Sequence, residues 1–126
     1  MIDDDRDTCE VMKIALEYHG FDVLCSMQAA DSLTLAAKFL PDAILLDYFL
    51  PDANGGEICR MLKDSISTRH LPVILISASL LRFDPVEKFG CDAFLPKPFD
   101  LEGVVACINS VLGNARDAKT EFRSRK

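Results

Sequence analysis

Asp42-Ala-Ile-Leu-Leu-Asp47-Tyr-Phe-Leu-Pro51-Asp-Ala-Asn54-Gly-Gly56 is the stretch whose reading decides the fold. Ala43 to Leu46 is a short unbroken apolar run, bounded by Pro41-Asp42 before and a carboxylate after. Such a run fits a strand covered on both faces, as in a parallel sheet. Asp47 stands at its carboxyl end, followed by a loop whose turn residues are Pro51-Asp52 and Asn54-Gly55-Gly56. Open α/β sheets bind ligands in the crevice beyond the carboxyl ends of their strands, which makes Asp47 a candidate site residue. Taken alone, it reads equally well as a solvated strand-end carboxylate or a cap for the next helix.

Upstream, Asp3-Asp4-Asp5 precedes a helical stretch from Arg6 to Tyr18, with Val11, Met12, Ala15, Leu16 and Tyr18 as its apolar face. Gly20 supplies a left-handed residue to close it. Phe21 to Cys25 alternates as a strand. Ser26 can cap a second helix with a stripe of Ala29, Ala30, Leu33, Ala37 and Leu40, stopped by Pro41.

Downstream, a third helix is expected from Gly55 to Asp64, with Ile58, Met61 and Leu62 facing inward. Pro72 to Ile76 is a second fully apolar strand, ended by Ser77. Leu80 to Gly90 should hold a short, late-starting helix with Asp84 as cap and Pro85 in its first position. That segment is expected to be the most mobile outside the termini. Ala93 to Leu95 is a short strand. Asp100 then caps a last helix with a stripe of Leu101, Val104, Val105, Ile108, Val111 and Leu112, closed by Gly113. Five strand candidates alternating with five helices imply βαβ units and a parallel sheet with helices on both faces. The expected organisation is one domain over residues 1–113 and a polar, frayed tail over 114–126.

A chain of 126 residues has room for one domain, and 49% apolar with 27% charged residues suits a globular one. A net charge of -6 opposes a phosphate backbone, so no nucleic acid is expected as a partner. No apolar run approaches the roughly 18 residues of a membrane span, and no signal peptide is visible. The five cysteines are scattered without a CxxC pair, consistent with reduced thiols in a cytoplasmic protein.

In a parallel sheet all carboxyl ends point one way. Asp3 and Asp4, Asp47, Ser77 and Lys97 each follow a strand candidate and therefore converge on one edge. Carboxylates so gathered repel one another unless a cation sits among them. Hard oxygen donors suit Mg²⁺ better than zinc. A cation, an ammonium and a hydroxyl around a free carboxylate meet the needs of phosphoryl transfer, in which the carboxylate attacks in line.

With these residues in place, the chain resembles the receiver domain of a two-component response regulator. Spacing agrees with residue type: Asp47 stands 43 positions after Asp4, and Ser77 and Lys97 stand 30 and 50 positions after Asp47. The resemblance runs from Ile2 to about Leu112. It implies a flavodoxin-like, doubly wound five-stranded parallel sheet of order 2-1-3-4-5 with five helices. It also implies that Asp47 accepts a phosphoryl group from a histidine kinase or histidine phosphotransfer protein. By the same resemblance Asp3, Asp4, Asp47 and the backbone carbonyl of Phe49 hold Mg²⁺, with Asp4 the more direct ligand of the acidic pair. Ser77 and Lys97 bind phosphoryl oxygens, Phe94 takes the place of the switch aromatic, and the Lys97–Pro98 bond is cis. Phosphorylation would then alter the surface of the fourth helix, fifth strand and fifth helix for an output partner.

Singly, each residue has an ordinary reading: Asp3 as a helix cap (Asp5 being better placed), Ser77 as a strand-end hydroxyl, Lys97 as a surface lysine, Phe94 as core. Five together at these spacings do not. Three departures stand out. Only Met1-Ile2 precede the acidic pair, so the first strand is truncated and further apolar residues upstream of Met1 are expected. The segment from Ser77 to Lys97 is about two residues short and contains Pro85, and Tyr48 is bulkier than the small aliphatic residue often found after the acceptor. The competing reading is a pseudo-receiver, an interaction module without phosphorylation, against which intact Asp4, Asp47, Ser77 and Lys97 weigh. An aspartyl phosphatase is disfavoured, since Phe49 stands where a second catalytic carboxylate is usual.

Overall fold

A computed structural model describes residues 1–78 and 82–124. Its elements are α1 (Arg6–Tyr18), a 3₁₀ turn (Ala29–Asp31), α2 (Ser32–Phe39), β1 (Ile44–Asp47), α3 (Gly55–Asp64), β2 (Val73–Ser77), α4 (Pro85–Phe89), β3 (Ala93–Pro96) and α5 (Leu101–Ser124). β1, β2 and β3 pair in that order, all parallel, with Ile44 opposite Val73 and Ile74 opposite Ala93. The apolar run that opened the sequence reading is β1, buried along its whole length.

Two faces are covered, as the unbroken apolar strands require. Ile44, Leu46, Val73 and Leu75 pack with Ile58, Cys59, Leu62 and Phe89 of α3 and α4. Their alternates Leu45, Ile74 and Ile76 pack with Met12, Leu16, Val104, Ile108 and Val111 of α1 and α5. Adjacent strand residues thus enter opposite cores, the arrangement of a doubly wound sheet.

The first two strand candidates are not strands. Ile2 makes single parallel bridges to Ser26 on one side and Leu46 on the other. Spatial order is nonetheless Ser26, Ile2, β1, β2, β3, which keeps the 2-1-3-4-5 arrangement. Phe21 to Cys25 forms no ladder: its links to the Met1–Asp3 segment are isolated, with Ser26 donating to the Met1 carbonyl, Asp3 to that of Ser26 and the Met1 ammonium to that of Leu24, while Lys13 Nζ takes the Val23 carbonyl. Beyond Met1, a cleft of about 560 Å³ separates residues 20–24 from 40–45. A strand without a continuous partner cannot satisfy its backbone in a ladder.

Other ends follow their local chemistry. Asp5 caps α1 by accepting from the Asp7 and Thr8 amides. Gly20, at φ 91°, closes it, with the Phe21 amide reaching the Leu16 carbonyl and the Gly20 amide that of Glu17. α4 starts at Pro85 under an Asp84 cap and ends at Gly90, φ 74°, after five residues. Of the segment expected to be mobile, residues 80 and 81 lie outside the described residues.

Several inward assignments are corrected. Val11, Tyr18 and Met61 are exposed, because the buried stripes of α1 and α3 run through Cys9, Met12 and Leu16, and through Ile58, Cys59 and Leu62. The second helix starts later than expected, so its buried residues are Ser32 and Ala36, with Ala37 and Leu40 outside. α5 continues through Gly113 to Ser124. One glycine costs a helix about 1 kcal/mol, too little to end it where Ala115, Arg116, Ala118, Lys119 and Glu121 follow.

Candidate phosphoacceptor site

The site forms where the chain leaves the sheet. Asp3 follows the Ile2 bridge and Asp47 ends β1; the Asp47 amide donates to the Ile2 carbonyl at 2.9 Å, which holds the two segments side by side. Asp3, Asp4 and Asp47 each offer a carboxylate oxygen, all within 4.8 Å of one another. Asp3 is 1% exposed and Asp47 6%, whereas Asp4 is open to solvent. Asp3 Oδ1 accepts from the Asp5 amide at 3.0 Å.

Lys97 enters from the end of β3. Its Nζ donates to Asp3 Oδ2 at 3.1 Å and lies 3.7 Å from Asp47 Oδ2. Burial alone would lower its pKa, but the hydrogen bond and charge of Asp3, with the charge of Asp47, raise it instead. The Asp47 pKa rises as well, which for a carboxylate disfavours the charged form. Burial first, then the Asp3 charge, push it up to about 6, against the opposing pull of Lys97 and the Phe49 amide. One ammonium is too little positive charge for three carboxylates. The donor set, all oxygen with one exposed member, fits a hard divalent cation.

Ser77 ends β2, is 1% exposed, and its carbonyl accepts from the Lys97 amide at 2.8 Å. The Tyr48 amide donates to the Ile76 carbonyl, so Asp47 and Ser77 close adjacent strands at the same edge. The Lys97–Pro98 peptide is cis. Phe94 sits one strand further, opposite Leu75 and half-buried against the α3–α4 core, outside the carboxylate cluster. Phe49 turns its ring to solvent and bridges Asn54 through its backbone. His19 and His70 are exposed, and His19 bonds the Ala15 carbonyl within its own helix.

Two contributors were read only as turn residues. Asp52 accepts from the Ala29 and Ala30 amides at 3.1 and 3.0 Å, tying the loop after Asp47 to the 3₁₀ turn. Gly55 packs so closely on Asp47 that any Cβ there would strike the Asp47 carbonyl oxygen. Its amide donates to the Tyr48 carbonyl at 2.7 Å. Two successive glycines at a helix start were the available signal, since only one is needed to make a turn. Gly55→Ala is expected to displace the Asp47 carbonyl and lower stability by about 1–3 kcal/mol, read as a fall in Tm. An unchanged Tm would mean that the loop yields freely.

The model of the response regulator receiver domain matches residues 1–109. The chain belongs to this family. This receiver is 30% identical over 117 residues to the polar-differentiation response regulator DivK of Brucella anthropi, covering 91% of this chain and 95% of the relative. DivK of Brucella ovis matches to the same extent. In fold, the receiver is similar to a CheY-like response regulator receiver domain protein from Methanospirillum hungatei, with a TM-score of 0.85 at 21% identity over 93% of this chain and 94% of that one. A sensor protein from Polaromonas sp. gives 0.82 at 28% identity, over 90% and 94%. It is a signalling domain of two-component systems, and none of its described helices is long and apolar enough to cross a membrane.

Proposed function

We propose that this receiver, residues 1–113 with 114–126 as a tail outside it, is a phosphoacceptor in a two-component phosphorelay. Its donor is the phosphohistidine of a kinase or phosphotransfer protein in the cytoplasm. The observation carrying this reading is the convergence of Asp3, Asp4 and Asp47 within 4.8 Å, beside Lys97 Nζ.

Asp3, Asp4, Asp47 and the Phe49 carbonyl would hold Mg²⁺, which supplies charge to neutralise the phosphoryl oxygens. An Asp47 carboxylate oxygen attacks phosphorus, forming the O–P bond as the P–N bond to the donor imidazole breaks. Lys97 holds a phosphoryl oxygen through its ammonium, and the Ser77 hydroxyl donates to another. Release is hydrolysis of the acyl phosphate, so the domain is spent and reset rather than turning over a separate substrate. Movement of Ser77 toward the phosphoryl group frees space for Phe94, changing the α4–β3–α5 surface that an output partner reads.

Incubation with acetyl phosphate and Mg²⁺ is expected to add one phosphoryl group by intact mass, lost on chelation and absent from Asp47→Ala. Labelling that survives either change would refute the assignment. A chain that folds yet never labels would support the pseudo-receiver reading.

A further inference from the structure

Cys9 and Cys25 are far apart in sequence yet meet in space. Cys9 sits on α1 at 5% exposure, and Cys25 lies half-buried in the extended segment before Ser26. Cys25 Sγ donates to the Cys9 carbonyl at 3.7 Å, while the Cys9 thiol itself donates to the Asp3 carbonyl. The carbonyl and side chain of Cys9 share one Cα, so Cys25 Sγ is within reach of Cys9 Sγ. A cleft of about 240 Å³, flanked by Arg6 and Lys13, opens both to solvent. Cys59 and Cys91, by contrast, are both deeply buried in the α3–α4 core, and neither borders this cleft.

We propose that Cys9 and Cys25 form a thiol–disulfide pair that takes a low-molecular-weight disulfide as oxidant. The more exposed Cys25, with two cationic side chains at the mouth, attacks one sulfur of the small disulfide and expels one thiol, which takes up the Cys25 proton. Burial pushes the Cys9 thiol up to about 12, so Cys9 attacks Cys25 Sγ as its proton passes to the departing thiolate, forming the internal S–S bond and expelling the second thiol. Two electrons pass to the small disulfide, and the two protons end on the released thiols.

This bond would reach the acidic pocket. Cys9 Sγ donates to the Asp3 carbonyl at 3.5 Å, so its oxidation removes an S–H held against the peptide that joins Asp3 to Asp4. The pair itself does not depend on the phosphoacceptor reading, and its test does not use phosphorylation.

The full chain is incubated with oxidised glutathione, then denatured and its thiols counted. The expected result is a fall from five free thiols to three, with no glutathione retained and one cross-linked peptide joining Cys9 to Cys25. Cys25→Ser, a half-exposed site that leaves the core intact, is expected to keep its remaining thiols. Glutathione retained on Cys25 without cross-linking, or a cross-link involving Cys59, Cys91 or Cys107, would overturn the proposal.

Discussion

Lys97→Met is expected to slow phosphorylation of Asp47 by acetyl phosphate about a hundred-fold or more while leaving the chain folded. Among the described residues, no other ammonium or guanidinium is paired with the clustered carboxylates; Lys97 touches both Asp3 and Asp47. Removing one preorganised donor to developing oxyanion charge costs roughly 10²–10³ in rate. The same change leaves Asp3, 1% exposed, without its counter-charge. Breaking a fully buried pair costs roughly 3–5 kcal/mol; Lys97 is about a quarter exposed, which brings the expected loss nearer about 2 kcal/mol. Added Mg²⁺ should restore much of that stability but little of the rate, since it supplies charge among the carboxylates and not the donor at the phosphoryl oxygen. Intact mass over time and Tm with and without Mg²⁺ separate the two effects. Equal labelling rates for both proteins would remove Lys97 from the chemistry.

Asp47→Asn is expected to make the metal-free domain more stable at neutral pH. The sign follows from the raised pKa. An ordinary aspartate titrates near 3.8, and Asp47 is pushed up to about 6 by burial and by Asp3. Between those values the folded chain holds a proton that the unfolded chain has released, so stability falls as pH rises through about 6. About two pK units correspond to roughly 3 kcal/mol by pH 7.5, an upper figure because neighbouring groups titrate together. Asparagine removes the charge and still accepts from the Phe49 amide. We expect a gain of about 1–3 kcal/mol at pH 7.5, several degrees in Tm, shrinking to nothing by pH 4. Parallel melting curves at both pH values test it, and a variant no more stable than its parent at pH 7.5 would show that Asp47 is not held under repulsion. A gain at pH 7.5 would instead mark Asp47 as a place where function is kept at the expense of stability.

The acidic edge was legible because topology, not packing detail, creates it. Once the strands are parallel, whatever follows each one arrives at the same rim, and Asp3, Asp47, Ser77 and Lys97 needed only to be read as strand followers. The capping of α1 by Asp5 and of α4 by Asp84, with Pro85 behind it, was equally open, because those bonds are local. What pattern could not give was contact between distant pieces. Gly55 looks like a turn residue until the Asp47 carbonyl is seen against it. The Cys9–Cys25 meeting needs α1 laid beside a segment that sequence alternation mislabelled as a strand. Periodicity also overstated burial: Val11, Tyr18 and Met61 sit on apolar-looking faces whose neighbouring surface is simply water. Gly113 failed as a stop because a stop needs the left-handed backbone that Gly20 and Gly90 adopt.

The slender attachment of the first residues has a kinetic meaning. Residues 1–3 are tied to the sheet by four backbone bonds, from Ile2 to the Leu45 carbonyl, Asp47 to Ile2, Ser26 to Met1 and Asp3 to Ser26, together with the Met1 ammonium on Leu24. With Lys97 on the Asp3 carboxylate and Ile2 buried as its further anchors, this stretch is expected to open before β1, β2 and β3 unpair, as hydrogen exchange of the Ile2 and Asp3 amides would read. Yet it carries Asp3 and leads directly into Asp4, two of the three clustered carboxylates. Any ligand that bridges Asp3 or Asp4 to Asp47 therefore acts as a rivet between this hinged flap and the rigid sheet, and the flap's opening rate becomes a readout of site occupancy.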